Sequence, residues 1–145
     1  MSNLTLQEVA KKMRDIDIAM LMTHAADGAI AGRPMSNNRE VDYDGDSYYF
    51  TWSHSRMVRD IERLPLVAIA FQADKHLLGK PGININVEGK AQVIRDTEAF
   101  RSHWSKDLDR WFKDGVDTPG LVMIKVHARR VHYWDGMDEG EIPIA

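Results

Sequence analysis

The segment Ile83-Asn84-Ile85-Asn86-Val87-Glu88 alternates strictly between apolar and polar side chains. Because successive side chains of a β-strand point to opposite faces, this pattern predicts a strand with one buried face. The strand is expected to continue to Ile94, with Gly89 as a candidate bulge position. Because a long strand must pair with others, we expect the chain to be built around a β-sheet.

Other apolar and aromatic runs, bounded by turn residues, predict six further strands. They cover residues 18–23, 29–35, 40–43, 47–52, 66–71 and 121–134. The turn signals Asp27-Gly28 and Asp44-Gly45-Asp46 predict two successive hairpins. Helices are expected at about 5–16, 56–63 and 96–113, a loop at 74–82, and a mobile tail at 135–141. Seven strands without strand–helix–strand repeats predict a mainly β fold, an antiparallel barrel with flanking helices.

The composition limits the classes of function. The chain has 145 residues, 43% of them hydrophobic, so we expect a single domain over 1–145. Its 19 basic and 22 acidic residues are dispersed, which argues against nucleic-acid binding. The absence of cysteine excludes disulfides, cysteine-ligated metals and thiol nucleophiles. No apolar run approaches the ~20 residues that span a bilayer, and no leader is visible, so a cytoplasmic protein without membrane contact is expected.

The segment Ser53-His54-Ser55-Arg56 lies where a predicted strand gives way to a predicted helix. Backbone amides and two hydroxyl groups therefore converge on the positive end of the helix, as in many anion sites. Arg56 and Arg59 fall in the first helical turn, where the helix dipole disfavours cations, and Arg56 precedes Asp60 in the weaker orientation for an ion pair. A bound phosphate would resolve this conflict. The alternative, which the local sequence alone favours, is a serine cap followed by solvated arginines.

Three short motifs resemble, in their order and spacing, the pyridoxamine-phosphate-oxidase-like flavoproteins, most of all their short general-stress-protein branch. The motifs are Gly32-Arg33-Pro34-Met35, then Tyr49 to Arg56, then Val87-Glu88-Gly89-Lys90-Ala91. The resemblance implies an FMN-binding split β-barrel. It also implies a homodimer with the flavin in a groove between the two subunits.

The resemblance also implies a set of cofactor-binding residues. These are Arg33, Pro34 and Met35 along one strand, Phe50 and Thr51 beside the flavin ring, Ser53, Ser55 and Arg56 at the phosphate, and Asn84 and Trp134 near the ring. Asn84 would reach the flavin from the partner subunit. Asn84 as the polar face of a strand, and Trp134 as a core or interface residue, are the structural alternatives.

Two departures from the family pattern bear on activity. Met57 stands where a second basic residue follows the phosphate arginine, and nothing after Trp134 supplies the Arg-x-His element that grips a pyridoxine phosphate. We therefore expect an FMN-dependent oxidoreductase of unknown substrate, with NADH or NADPH as a candidate donor, rather than a true pyridoxamine-phosphate oxidase. A non-catalytic flavin-binding stress protein and a haem-binding barrel stay open, as does FAD in place of FMN.

No metal site or catalytic triad is predicted. His127 and His132 are five residues apart, which places them on opposite faces of a regular strand. The serines lack the glycine pattern of a nucleophile elbow. No catalytic residue is assigned from the sequence.

Overall fold

A computed structural model describes residues 4–37, 42–74 and 82–144. The elements in chain order are α1 (Leu6–Met13), β1 (Ile18–His24), β2 (Ile30–Ser36), β3 (Asp46–Trp52), α2 (Arg56–Arg63), β4 (Leu66–Gln72), β5 (Asn84–Ile94), α3 (Thr97–His103), β6 (Leu121–Asp135) and β7 (Asp138–Pro143), with 3-10 helices at Lys106–Arg110 and Gly115–Asp117. In these described ranges, no helix has the length and apolar character needed to cross a membrane.

All strand pairs are antiparallel, in the order β2-β1-β4-β5-β6-β3. The 15 residues of β6 organise one side of this sheet. β3 pairs with Leu121–His127 and β7 with Arg130–Asp135, while β5 runs along the other edge of β6. β2 and β3 are therefore the two ends of the main sheet.

The sheet curls around a shared interior. Leu21 of β1 and Tyr49 of β3 belong to one buried cluster, although three strands lie between β1 and β3 in the sheet. Ile69 of β4 joins them, and Val9 of α1 and Val58 of α2 cover the same cluster. These contacts require a partly closed barrel, which confirms the predicted mainly β antiparallel fold.

The predicted helix over 96–113 is confirmed at its start, where Asp96 caps α3, but it is wrong in its length. α3 ends at His103, and the backbone of Trp104 and Ser105 is extended, with ψ of 134° and 154°. The aromatic rings nevertheless meet: the centroid of Phe50 lies 5.7 Å from that of Phe100 and 4.8 Å from that of Trp104. A straight helix of this span would be about 27 Å long and would carry its later rings away from Phe50. The apolar pattern correctly indicates residues that pack together, but the helix must end at His103 for their rings to meet.

The predicted mobile tail is also wrong, because its residues form part of β7. A turn at Gly136, with φ of 65°, returns the chain along β6. β3 covers only the first half of that edge of β6, so the second half has unpaired backbone groups that β7 satisfies. Tertiary pairing here overrides a sequence poor in strand-forming residues.

The second predicted hairpin is not formed by the described residues. Asp42 and Tyr43 are not in a strand, Glu40 and Val41 lie outside the described ranges, and β3 pairs with β6 instead. The seventh strand of the described sheet is β7. Most of the predicted loop at 74–82 also lies outside those ranges.

The first hairpin, the helix at 56–63 and the long strand to Ile94 are confirmed, while the first helix is shorter than predicted. The strand register shifts between Glu88 and Gly89, as expected for a bulge. A Cβ on Gly89 would lie 2.6 Å from the carbonyl oxygen of His127, so the close approach of these strands requires glycine.

Candidate functional site

The turn between β3 and α2 is fixed by its backbone. The amide of Ser53 donates to the carbonyl of Gly120 at 2.7 Å, and the amide of Ser55 donates to that of Trp52 at 3.0 Å. The Ser55 hydroxyl accepts from the Val58 amide at 3.3 Å, so Ser55 is the N-cap of α2. Gly120 has φ of 80°, a conformation that favours glycine. The structural alternative for Ser55 is thus realised, and the amides at the start of α2 still face outward from the helix.

One buried carboxylate lies beneath three arginines next to this turn. Asp60 is 4% exposed. Its Oδ2 lies 3.7 Å from Arg33 Nη2 and 3.9 Å from Arg56 Nε, and its Oδ1 lies 3.7 Å from Arg63 Nη2. We call Arg33, Arg56 and Arg63 the arginine cluster. The fold thus brings Arg33 of β2 together with Arg56, two of the three arginines singled out in the sequence.

Thr23 of β1 joins Asp60 to Arg33 through hydrogen bonds. Its hydroxyl donates to Asp60 Oδ2 at 2.9 Å and accepts from Arg33 Nη1 at 2.8 Å. Arg33 Nη1 also lies within hydrogen-bonding distance of the carbonyl oxygens of Leu21 and Ala31. These contacts hold the Arg33 guanidinium in one place, half-buried against the barrel.

The site carries a surplus of positive charge. Three guanidinium groups and one carboxylate give a net formal charge of +2. Burial lowers the pKa of the Arg33 guanidinium, Asp60 acts in the opposite direction, and the nearby charge of Arg56 lowers this pKa further. The positive end of the α2 dipole adds to the same field. The arrangement therefore favours an anion placed over the arginine cluster.

In the sequence, Asp60 stood out only as a poor helical partner of Arg56, and no pattern identified Thr23 or Arg63 as site residues. A signal was present, because Met57, Asp60, Ile61 and Leu64 share the spacing of one helical face. A carboxylate on an otherwise apolar face is buried and must find partners. Those partners came from β1 and β2, which no local pattern could indicate.

The other predicted residues of β2 and β3 differ in their exposure. The ring of Phe50 packs in a second hydrophobic cluster, together with Phe100 and Phe112, and the side chain of Met35 packs against the barrel core. Pro34 is exposed and pairs across strands with Met20. Thr51 is half-buried in β3 opposite Val122. Backbone and small side chains of β2 and β3 are thus what this region exposes.

Asn84 and Trp134 lie together but at another place in the fold. They are cross-strand neighbours, and Trp134 is 38% exposed. Its ring stacks on His132 with centroids 3.9 Å apart. Leu121, which pairs with Trp52 just before the turn between β3 and α2, lies at the opposite end of β6 from Trp134. The chain by itself therefore does not bring all ten predicted residues to one point.

A separate cavity of about 320 Å³ lies between α1, the turn before β3, β3 and the end of α3. The phenol oxygens of Tyr43 and Tyr49 beside it are buried and have no hydrogen-bond partner within the ranges that the structure describes. Burial raises the pKa of both phenols well above the usual range; nearby Ser47 acts in the opposite direction without forming a properly oriented hydrogen bond. We call this region the tyrosine cavity.

Comparisons with known proteins cover nearly the whole chain. Residues 5–143 match the family model described as pyridoxamine 5'-phosphate oxidase like. The chain is 29% identical over 140 residues to general stress protein 26 of Bacillus subtilis, covering 93% of this chain and 92% of that protein.

Solved structures show the same fold at low sequence identity. A protein related to general stress protein 26 from Clostridium acetobutylicum has a TM-score of 0.80 at 18% identity, covering 96% of this chain and 94% of that one. A heme-binding protein from Mycobacterium smegmatis has a TM-score of 0.73 at 16% identity, covering 99% of this chain and 60% of that one. An F420 reductase has a TM-score of 0.61 at 22% identity, covering 83% and 93%. The shared fold is a split barrel, and its members are named for different ligands.

Proposed function

The chain belongs to the pyridoxamine 5'-phosphate oxidase-like family, and from that premise we propose that it binds flavin mononucleotide, with the phosphate on the arginine cluster. The observation that carries this proposal is the net formal charge of +2 of Asp60 and the arginine cluster, in which Arg56 belongs to the first turn of α2 and Arg63 to its last. A phosphate monoester carries about −1.5 to −2 charges at neutral pH, so its charge complements this site.

The side chains present fit a phosphate. The Arg56 side chain is 59% exposed, so its guanidinium can turn toward a ligand. Arg33 is held in place, and its Nη2 is not hydrogen-bonded to Asp60 at 3.7 Å. Arginine binds phosphate through paired N–H groups, and the first amides of a helix add further donors. Ser53 and Ser55 border the same turn.

The flavin ring is proposed to lie along the ends of the sheet. In the part of the chain that the structure describes, β2 pairs only with β1 and β3 only with β6, which leaves backbone donors and acceptors on both strands. Pro34, Met35, Phe50 and Thr51 belong to these two strands. When bound, the flavin would supply hydride or electron transfer, while the chain binds and orients it.

A homodimer would complete the site. Asn84 and Trp134 lie far from the turn between β3 and α2, at the other end of β6, so they can contact the same flavin only as residues of a second copy. The outer face of β1, β2 and β4 carries exposed apolar side chains suited to burial between copies: Ile18, Met20, Ile30 and Leu66. We expect Met20→Asp to yield monomers on size-exclusion chromatography and to weaken FMN binding.

The proposed activity is that of an FMN-dependent oxidoreductase, with NADH or NADPH as the candidate donor. A non-catalytic flavin binder is the second candidate, since no side chain at the site is assigned as a general acid or base. The likeness to a heme-binding protein makes haem a third ligand to test.

Ligand uptake by the purified protein tests the proposal. FMN, riboflavin, FAD, F420 and haemin are each titrated and followed by fluorescence or absorption. We expect FMN to bind and riboflavin, which lacks the phosphate, to bind at least about tenfold more weakly, as the loss of one charge-assisted contact requires. A Soret band with haemin together with no uptake of FMN would overturn the proposal.

Anaerobic mixing of the FMN-loaded protein with NADH or NADPH separates an enzyme from a binder. Bleaching of the flavin absorption supports the oxidoreductase. Unbleached flavin with both donors, in a protein that binds FMN tightly, would favour the non-catalytic alternative.

A further inference from the structure

Asp60 is an unexpected residue for its position. It lies inside α2 on the face that carries Met57 and Ile61, and it is 4% exposed. Burying a carboxylate costs several kcal/mol unless partners compensate, and an apolar residue often stabilises such a position equally well. Packing alone therefore does not account for an aspartate here.

The distances around Asp60 separate one tight contact from three loose ones. The Thr23 hydroxyl is hydrogen-bonded to Oδ2 at 2.9 Å, whereas the nearest nitrogens of the three arginines lie 3.7 to 3.9 Å from the carboxylate. These are ion-pair distances beyond hydrogen-bonding range. The arginines are attracted by Asp60 but keep N–H donors for another acceptor.

The hydrogen bonds from Arg33 to Thr23 and from Thr23 to Asp60 have a fixed direction. A threonine hydroxyl has one proton, which it gives to Asp60, and its lone pair then accepts from Arg33 Nη1. The carboxylate thereby fixes the hydroxyl, and the hydroxyl fixes the guanidinium. Without the negative charge, three like charges in this space would repel one another into solvent.

We propose that Asp60 is a positioning residue: through Thr23 it holds Arg33 where that arginine binds a terminal phosphate monoester, and as an ion-pair partner it attracts Arg56 to the same place. This inference rests on the proposed function and deepens it. Asp60 makes no contact with the ligand; it fixes the Arg33 guanidinium and leaves the cluster a net charge that complements a dianion.

In Asp60→Asn, a positioning role and a purely electrostatic role of Asp60 predict opposite changes in FMN affinity. Removing a negative charge near a phosphate would by itself tighten FMN binding. If Asp60 positions the arginines, the variant binds FMN more weakly, by about tenfold or more, while riboflavin affinity changes little. FMN binding that is unchanged or tighter in the folded variant overturns the inference.

Thr23→Val keeps every charge and nearly the same volume but removes the hydroxyl that is hydrogen-bonded to both Arg33 and Asp60, so it tests the inference even if Asp60→Asn fails to fold. We expect a severalfold loss of FMN affinity, with recovery in Thr23→Ser, which keeps the hydroxyl. Glu62→Gln is the matched control, because Glu62 lies on the exposed side of the same helix and, among the residues that the structure describes, pairs with Arg95 alone. Equal FMN affinity in Thr23→Val and wild type contradicts the inference.

A ligand-free measurement distinguishes failure of this inference from failure of the proposed function. Nitrogen-15 NMR of arginine Nε–H groups reports how firmly each guanidinium is held. We expect a slowly exchanging Arg33 signal in wild type and Thr23→Ser, and its loss in Thr23→Val and Asp60→Asn. If wild type binds neither FMN nor inorganic phosphate but the Arg33 signal behaves in this way, the proposed function fails and the positioning role stands. An Arg33 signal that is unchanged in both variants refutes the role.

Discussion

The arginine cluster and the tyrosine cavity are opposite solutions to burying polar groups. Beneath the arginine cluster, Asp60 and Thr23 are partnered, yet the group as a whole has a surplus charge. Beside the tyrosine cavity, Tyr43 and Tyr49 bury hydroxyl groups that have no hydrogen-bond partner among the described residues, but these phenols are uncharged at neutral pH and burial raises their pKa further. The cavity has the space and the cluster has the charge. For an anionic cofactor, the charge identifies the site and the empty volume does not.

The largest expected difference between the two regions concerns stability. Asp60→Ala leaves the buried Thr23 hydroxyl and the half-buried Arg33 without their carboxylate partner and should lower the free energy of unfolding by about 3 kcal/mol. Asp42→Ala near the tyrosine cavity removes an 80% exposed partner of Arg14 and should cost less than about 1 kcal/mol. Urea unfolding followed by circular dichroism measures both. Similar losses in the two variants would mean that Asp60 is not a buried ionic centre.

The next largest effect concerns FMN affinity. Arg56→Ala removes one exposed arm of the arginine cluster and should weaken FMN binding by about 1.5 to 3 kcal/mol without unfolding the protein. Arg14→Ala, which alters an arginine at the tyrosine cavity, should leave FMN affinity unchanged. Fluorescence titration of FMN decides between them. If Arg56→Ala binds FMN normally, Arg56 does not belong to the site.

A smaller effect should come from the phenols. Tyr49→Phe removes a buried hydroxyl that has no partner, so the free energy of unfolding should stay the same or rise by up to about 1 kcal/mol. Tyr133→Phe is the matched control, because the Tyr133 hydroxyl accepts from the Leu4 amide at 2.8 Å and its loss should cost about 1 kcal/mol. Equal destabilisation by both changes, measured in urea, would show that the Tyr49 hydroxyl has a partner in solution.

The smallest effect is the dependence of stability on pH, which these phenols cause only under alkaline conditions. The pKa of Tyr43 and Tyr49 is raised in the folded protein, so their contribution to stability is complete below the unfolded pKa near 10 and is lost as the pH rises above it. Absorption at 295 nm should show these two phenols ionising together with unfolding. The double variant Tyr43→Phe/Tyr49→Phe should lose part of this alkaline sensitivity. Free ionisation near pH 10 in the folded wild type would contradict their burial.

Sequence patterns predicted the elements that are defined by local signals. The Asp27-Gly28 hairpin, the helix starting after Ser55 and the long strand ending at Ile94 follow from local turn, cap and alternation rules. The predicted helix over 96–113 is too long, because the apolar spacing does not show that the later rings must pack back onto Phe50. The prediction of a mobile tail is wrong because the strand there forms as the partner of β6.

In the candidate site too, local signals predicted some features and tertiary contacts decided the others. The sequence alone determined that an anion could bind at Ser53 to Arg56, and the motif order pointed to a flavin phosphate. Only the tertiary structure placed Arg33 and Thr23 against Asp60, turned the ring of Phe50 away into a core, and left Asn84 and Trp134 at the far end of β6. The physical reason is that caps and turns are satisfied within a few residues, whereas a buried charge must be compensated by whatever strands the fold brings beside it.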